Sequence, residues 1–62
     1  MKIRIKMNGS KVSRICEDVD DVFDCVMAIT ENFDIAAAVQ GWSDLASIGE
    51  VYDGETFTAT AE

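Results

Sequence analysis

Five acids within eight residues, Glu17, Asp18, Asp20, Asp21 and Asp24, form the densest group of titratable side chains in this 62-residue sequence. Carboxylates so concentrated could hold a divalent cation. A calcium loop, however, needs alternating oxygen ligands, a glycine at its tight turn and a distant bidentate glutamate, and these acids fall on different sides of a helix start. Capping and interaction with the positive end of a helix dipole account for them better. Cys16 and Cys25 could form a redox pair, but they lack C-x-x-C spacing, and no histidine or obvious cation stands by to stabilise a thiolate. Both read as small buried hydrophobes.

The chain has no histidine, so the commonest general base and the commonest transition-metal ligand are missing together. Ser10, Ser13, Ser43 and Ser47 have no base partner by spacing, and so short a chain leaves little room for a pocket of ~300 Å³ or more. Asp53-Gly54-Glu55 reads as a turn. The sequence points away from an enzyme and assigns no cofactor and no metal.

What remains is charge. All five basic residues, Lys2, Arg4, Lys6, Lys11 and Arg14, precede all twelve acids, which run from Glu17 to Glu62 and bring the net charge to −7. Such a surface repels phosphates, which disfavours direct nucleic-acid binding, and it steers towards basic partners. The leading expectation is a non-enzymatic interaction module that presents an acidic helical face to a basic partner protein. Its sharper form is a nucleic-acid mimic, with carboxylates standing where phosphates would and blocking a nucleic-acid-binding protein. Asp20, Asp24 and Glu31 lie close to one helical face, Asp44 extends the line from a second helix, and Trp42 and Tyr52 are candidate aromatic anchors. The alternative is a small structural or assembly protein that self-associates, one copy's basic sheet against the next copy's acidic helices, as a ring or a filament.

The elements that must position these residues can be read from periodicity. Residues 1–14 alternate apolar and basic and carry Asn8-Gly9, which predicts a hairpin with a two-residue type I′ turn. In that register Met7 faces Ser10, Lys6 faces Lys11 and Ile5 faces Val12, so Ile3, Ile5, Met7 and Val12 share the buried face. Arg14 turns inward, and the second strand ends or bulges near Ser13. From Glu17 the period becomes helical: Val19, Val22, Phe23, Val26, Thr30 and Phe33 form a stripe behind an Asp18 N-cap, with Cys25 and Ile29 on its flanks and the helix fraying near Asn32. Asp34 then caps a second helix over 35–47, with Ile35, Ala38, Val39, Trp42, Leu45 and Ala46 on one face and Gly49 as its C′ residue. Gly41 allows close approach to the first helix.

Phe57, Ala59 and Ala61 alternate with Thr56, Thr58 and Thr60 in a third strand, expected to run antiparallel to the second. Val51 and Tyr52 carry some strand character, but a second hairpin is not assigned. The expected fold is a single α+β domain over 1–62, a two-layer sandwich of ββααβ order with a three-stranded sheet under two helices. The longest apolar run, Ile35 to Val39, is far short of the ~20 residues that cross a bilayer, and no signal-peptide pattern follows the basic N-terminus, so a cytoplasmic protein without membrane contact is expected.

Overall fold

Alternation in the first strand sets the architecture. In the computed structural model, which describes residues 1–62, β1 (Ile3–Met7) is a central strand, with Ile3 and Ile5 buried and Arg4 and Lys6 exposed. It is followed by β2 (Ser13–Cys16), α1 (Val19–Thr30), α2 (Phe33–Leu45), β3 (Val51–Asp53) and β4 (Phe57–Ala61). The sheet has four strands in the order β2-β1-β4-β3, not three, and every neighbouring pair is antiparallel. Both helices cover one face, and the core of Ile3, Ile5, Cys16, Val22, Cys25, Val26, Ala36, Val39, Phe57, Ala59 and Ala61 lies between the layers.

The additional strand is β3. Tyr52 pairs with Ala59 and turns inward, while Val51 pairs with Thr60 and turns to the open face. β3 and β4 are joined through Glu55 and Thr56, because Gly54 N–H donates to the Phe57 carbonyl at 2.9 Å and Thr56 N–H to the Gly54 carbonyl at 2.8 Å. Glu55, at φ 70°, takes the positive-φ conformation this tight turn needs. The presence of β3 corrects the expected direction of the last strand. The strand entered from the helices, β3, runs antiparallel to β2 as a helical pair dictates; β4 reverses once more and runs in the same direction as β2.

The N-terminal hairpin differs in register. Ile3 faces Cys16, Ile5 faces Arg14 and Lys6 faces Ser13, a shift of two residues from the expected pairing. Only Gly9 of the Asn8-Gly9 pair has positive φ (81°), and Ser10 N–H donates to the Met7 carbonyl at 3.1 Å. That is the signature of a type II turn with glycine at its third position, not type I′. The longer loop leaves Val12 78% exposed and Met7 exposed at the strand end. In exchange Cys16 is fully buried, and Lys6 no longer faces Lys11. The second strand begins at Ser13 instead of ending there. Arg14 does share the face of Ile5, but on an edge strand it stays exposed.

Asp18 caps α1 as expected, its carboxylate accepting from Asp21 N–H at 2.8 Å. α2 is capped by Asn32, not Asp34: Asn32 Oδ1 accepts from Ile35 N–H at 3.1 Å, and the helix starts at Phe33 and ends at Leu45. With the turn between helices reduced to Glu31 and Asn32, the pair is antiparallel, tied by Gln40 Nε2 donating to the Val19 carbonyl at 3.3 Å and by the edge-to-face contact of Phe23 and Phe33, 5.4 Å between centroids. The inward face of α2 is Ala36, Val39 and Ser43 with Ile35, Trp42 and Ala46 beside them, so Ala38 is exposed and Leu45 is 84% exposed. Gly41 does not admit the first helix. It is exposed, and a Cβ there would meet nothing within 4 Å. Gly49 is no helix C′ residue but begins the approach to β3, its N–H donating to the Ala61 carbonyl at 2.8 Å.

Candidate interaction surfaces

The sandwich confines all five cations to the sheet layer, together with four acids, and leaves the helical layer purely acidic. Eight acids, Glu17, Asp18, Asp20, Asp21, Asp24, Glu31, Asp34 and Asp44, lie on the two helices and their leading and linking residues, and no Lys or Arg lies between Glu17 and Leu45. The molecule has a single salt bridge, Arg4 with Glu62, and it is on the open face of the sheet. Arg4 there donates from Nε and Nη2 to the Glu62 carboxylate and from Nη1 to Ser13 Oγ at 2.6 Å. These hydrogen bonds hold the Glu62 carboxyl below its ordinary range.

Asp20 and Asp24 are one turn apart on α1 and exposed. Glu31, eleven residues after Asp20, returns to within about 20° of the same azimuth and about 16 Å further along the axis. Glu31 is the C-cap of α1, at φ 51° and ψ 32°, with its N–H bonded to the Met27 carbonyl at 2.8 Å. This is an unfavourable place for glutamate twice over. The left-handed conformation costs a non-glycine residue about 1–2 kcal/mol, and a carboxylate at the negative end of a helix dipole adds a few tenths.

Asp44 is exposed on α2. Trp42 is two residues away and therefore points to another side of that helix. Its indole packs against Tyr52, 5.7 Å between centroids, and Tyr52 stacks in turn on buried Phe57 at 6.4 Å. Trp42 and Tyr52 are each half-buried. The six residues singled out by sequence thus divide into an acidic helical face and an aromatic row between α2 and the β3 edge of the sheet.

The free thiols of Cys16 and Cys25 are neighbours in the core, and Cys16 Sγ–H points to the Asp21 carbonyl at 3.7 Å. Burial first, and the charge of Cys25 second, push the Cys16 thiol up to about 11, with Arg14 acting in the opposite sense. The separation of nine residues hid this contact, because strand and helix bring the two together only after packing. The clustered acids at 17–24 do not converge, and no three His, Cys, Asp or Glu side chains are placed to share a metal ion. Clefts are larger than chain length suggested: about 350 Å³ lined by Met1, Ile3, Ser43, Ala46, Ile48 and Ala61 among others, and about 400 Å³ near Met7, Ile29, Ile35 and Glu55. Ser43 Oγ, in the first, is spent on the Gln40 carbonyl at 2.7 Å.

The open face of the sheet shows what the sequence did not single out. Its register aligns Ile15, Arg4, Thr60 and Val51 in one row across the four strands and Ser13, Lys6, Thr58 and Asp53 in the next. Ile15 and Val51, at its two edges, are 37% and 58% exposed. No helix of the molecule is long and apolar enough to cross a membrane. No protein-family model, curated protein or solved structure matches this chain.

Proposed function

We propose that this protein is a non-enzymatic interaction module whose acidic helical layer docks on a basic partner protein. The observation that carries the reading is the concentration of eight acids on one layer with no cation among them and no ion pair to neutralise them. A field of this kind raises the encounter rate with a basic surface and falls with added salt. Glu31 supports it independently, since conformation and helix dipole both favour another residue there, and strain of this sort collects at functional positions.

The partner we favour is a nucleic-acid-binding protein, with the acidic line imitating a phosphate backbone. Asp20 and Asp24 are about 6 Å apart along the α1 axis, close to two 3.4 Å base steps of one strand, and Glu31 follows after about three more. The half-buried Trp42 and Tyr52 flank this layer as aromatic contacts at its margin. We place the protein in a reducing compartment such as the cytoplasm, a reading supported by two adjacent buried thiols, Cys16 and Cys25, that are not bridged.

The test is affinity capture from lysate at low and at physiological salt, with competing duplex DNA. Retention of basic nucleic-acid-binding proteins that DNA displaces is the expected result. A variant with Asp24→Lys, Glu31→Lys and Asp44→Lys should lose them; Asp20 is spared because it stabilises the first turn of α1. Capture unchanged by that reversal would overturn the proposal.

A further inference from the structure

The sheet ends in two uncovered strands, β2 and β3, and only the β3 edge is uniformly acidic. Lys11 precedes β2 and Arg14 lies within it, with Glu17 and Asp18 beyond its end, whereas Glu50, Asp53 and Glu55 lie around β3 with no cation among them. We propose that these edges pair with each other between copies, β3 of one molecule adding to β2 of the next, so that the sheet continues head to tail.

Three features of the fold make this pairing possible, and each is separately demanding. Direction is the first. β2 and β3 run opposite ways within one sheet, so a neighbour placed by simple translation brings them together antiparallel. The second is the supply of hydrogen-bonding groups. Antiparallel strands bond alternately to either side. Asn8 N–H to Thr56 and Glu62 N–H to Lys2 show that even residues of β1 bond to β4, which leaves Ile3 and Ile5 to bond Cys16 and Arg14. Gly54 N–H to Phe57 places Gly54 and Tyr52 on the β4 side of β3. The peptide groups directed away from the sheet are therefore those of Ser13 and Ile15 on one edge and Val51 and Asp53 on the other.

The third feature is the match of side chains. All four of those residues belong to the open face, so pairing them keeps every helical layer on the same side. With Val51 opposite Ile15 of the next copy and Asp53 opposite its Ser13, the two exposed apolar edge residues cover each other. The same register sets Glu55 opposite Lys11 and Tyr52 opposite Arg14. Like edges fit less well: β2 against β2 with Ser13 opposite Ile15 sets Arg14 against Arg14, and β3 against β3 brings Glu50, Asp53 and Glu55 together with no cation. The contact is heterologous and has no built-in stop. Because both strands are short and each copy carries a net charge of −7, it is weak and concentration-dependent. It leaves the acidic helical face free and touches the aromatic row only through Tyr52, so it does not depend on the function proposed above.

The experiment is sedimentation equilibrium of the full chain from about 0.02 to about 2 mM, the regime of small, weak interfaces, with amide exchange by NMR at both ends of the range. The weight-average mass should rise past the dimer without a plateau, and the amides of Ser13, Ile15, Val51 and Asp53 should gain protection as it does. Lys11→Glu and Glu55→Lys, both on exposed turns, should each lower the association constant by about tenfold or more, and the double variant should recover it. A mass that stays at the monomer, a plateau at the dimer, or a double variant no better than either single would each overturn the proposal.

Discussion

Gly54→Ala offers the sharpest check on the packing. A Cβ at residue 54 would come to 2.7 Å from Phe57 Cδ1 and closer still to Cε1 and Cζ, whereas ordinary van der Waals contact begins near 3.4 Å. The ring cannot yield easily: Phe57 is completely buried and stacks on Tyr52, which leans on Trp42. Moving it by about an ångström places the cost at the upper end of overpacking, about 3 kcal/mol. A chain of 62 residues has roughly 3–9 kcal/mol to lose in all. In a thermal melt followed by circular dichroism the midpoint should fall by roughly 12–24 °C. Phe57→Leu alone should cost about 1–2 kcal/mol for lost burial and ring contact. Its shorter side chain vacates the ring edge that the new methyl strikes, so the double variant should be more stable than the sum of the two singles by at least about 1.5 kcal/mol. A Gly54→Ala protein that melts with the wild type, or a double variant that is simply additive, would refute the close approach of the β3–β4 turn to Phe57.

Gly41→Ala should act in the opposite sense, stabilising by about 0.5–1 kcal/mol in denaturant titration, because a methyl there meets no atom and replaces glycine in an exposed helix; destabilisation would mean that α2 packs through this position after all. Glu31→Gly should stabilise by about 1 kcal/mol by relieving the left-handed cap, while weakening any partner bound through the acidic layer; loss of stability would mean that the carboxylate itself holds the turn between helices. With the folded Cys16 thiol raised to about 11 from an ordinary 9.0, the unfolded chain gives up this proton first as pH rises, so stability should be fully present below pH 9 and decline between about 9 and 11. Urea midpoints that stay flat across that window would contradict it, as would rapid labelling of Cys16 by a thiol reagent in the native protein at pH 8.

Element types were legible from periodicity because each of α1, α2, β1 and β4 buries one face. Positions fixed by long-range pairing were not. A hairpin register displaced by two residues preserves the face of every residue that stays paired, so alternation could not tell Val12 opposite Ile5 from Arg14 opposite Ile5. The hint available was the clash of Lys6 with Lys11 that the shorter loop required. Asn32 and Asp34 are both good caps, and the choice fell to Asn32 because a cap must accept from the third residue on and the buried face of α2 begins at Ile35 and Ala36. β3 was obscured by brevity: of its three residues only Tyr52 turns to the core, too little pattern to identify a strand. For the candidate surfaces, composition located the acidic layer in full. Edge complementarity escaped it, since that depends on which strands end up outermost.

The central position of β1 beside β4 also governs how this chain can be made. The two middle strands of the sheet come from opposite ends of the sequence, and β4 supplies Phe57, Ala59 and Ala61 to the core. At about 5–20 residues per second, a ribosome needs roughly 3–10 s to get from β1 to the end of β4. Throughout that interval Ile3 and Ile5 have no partner on one side, and the helices have only half a sheet to cover. Folding therefore comes as one late event, after Ala61 has cleared the exit tunnel, and a chaperone that shields the first strand would act in the seconds before it.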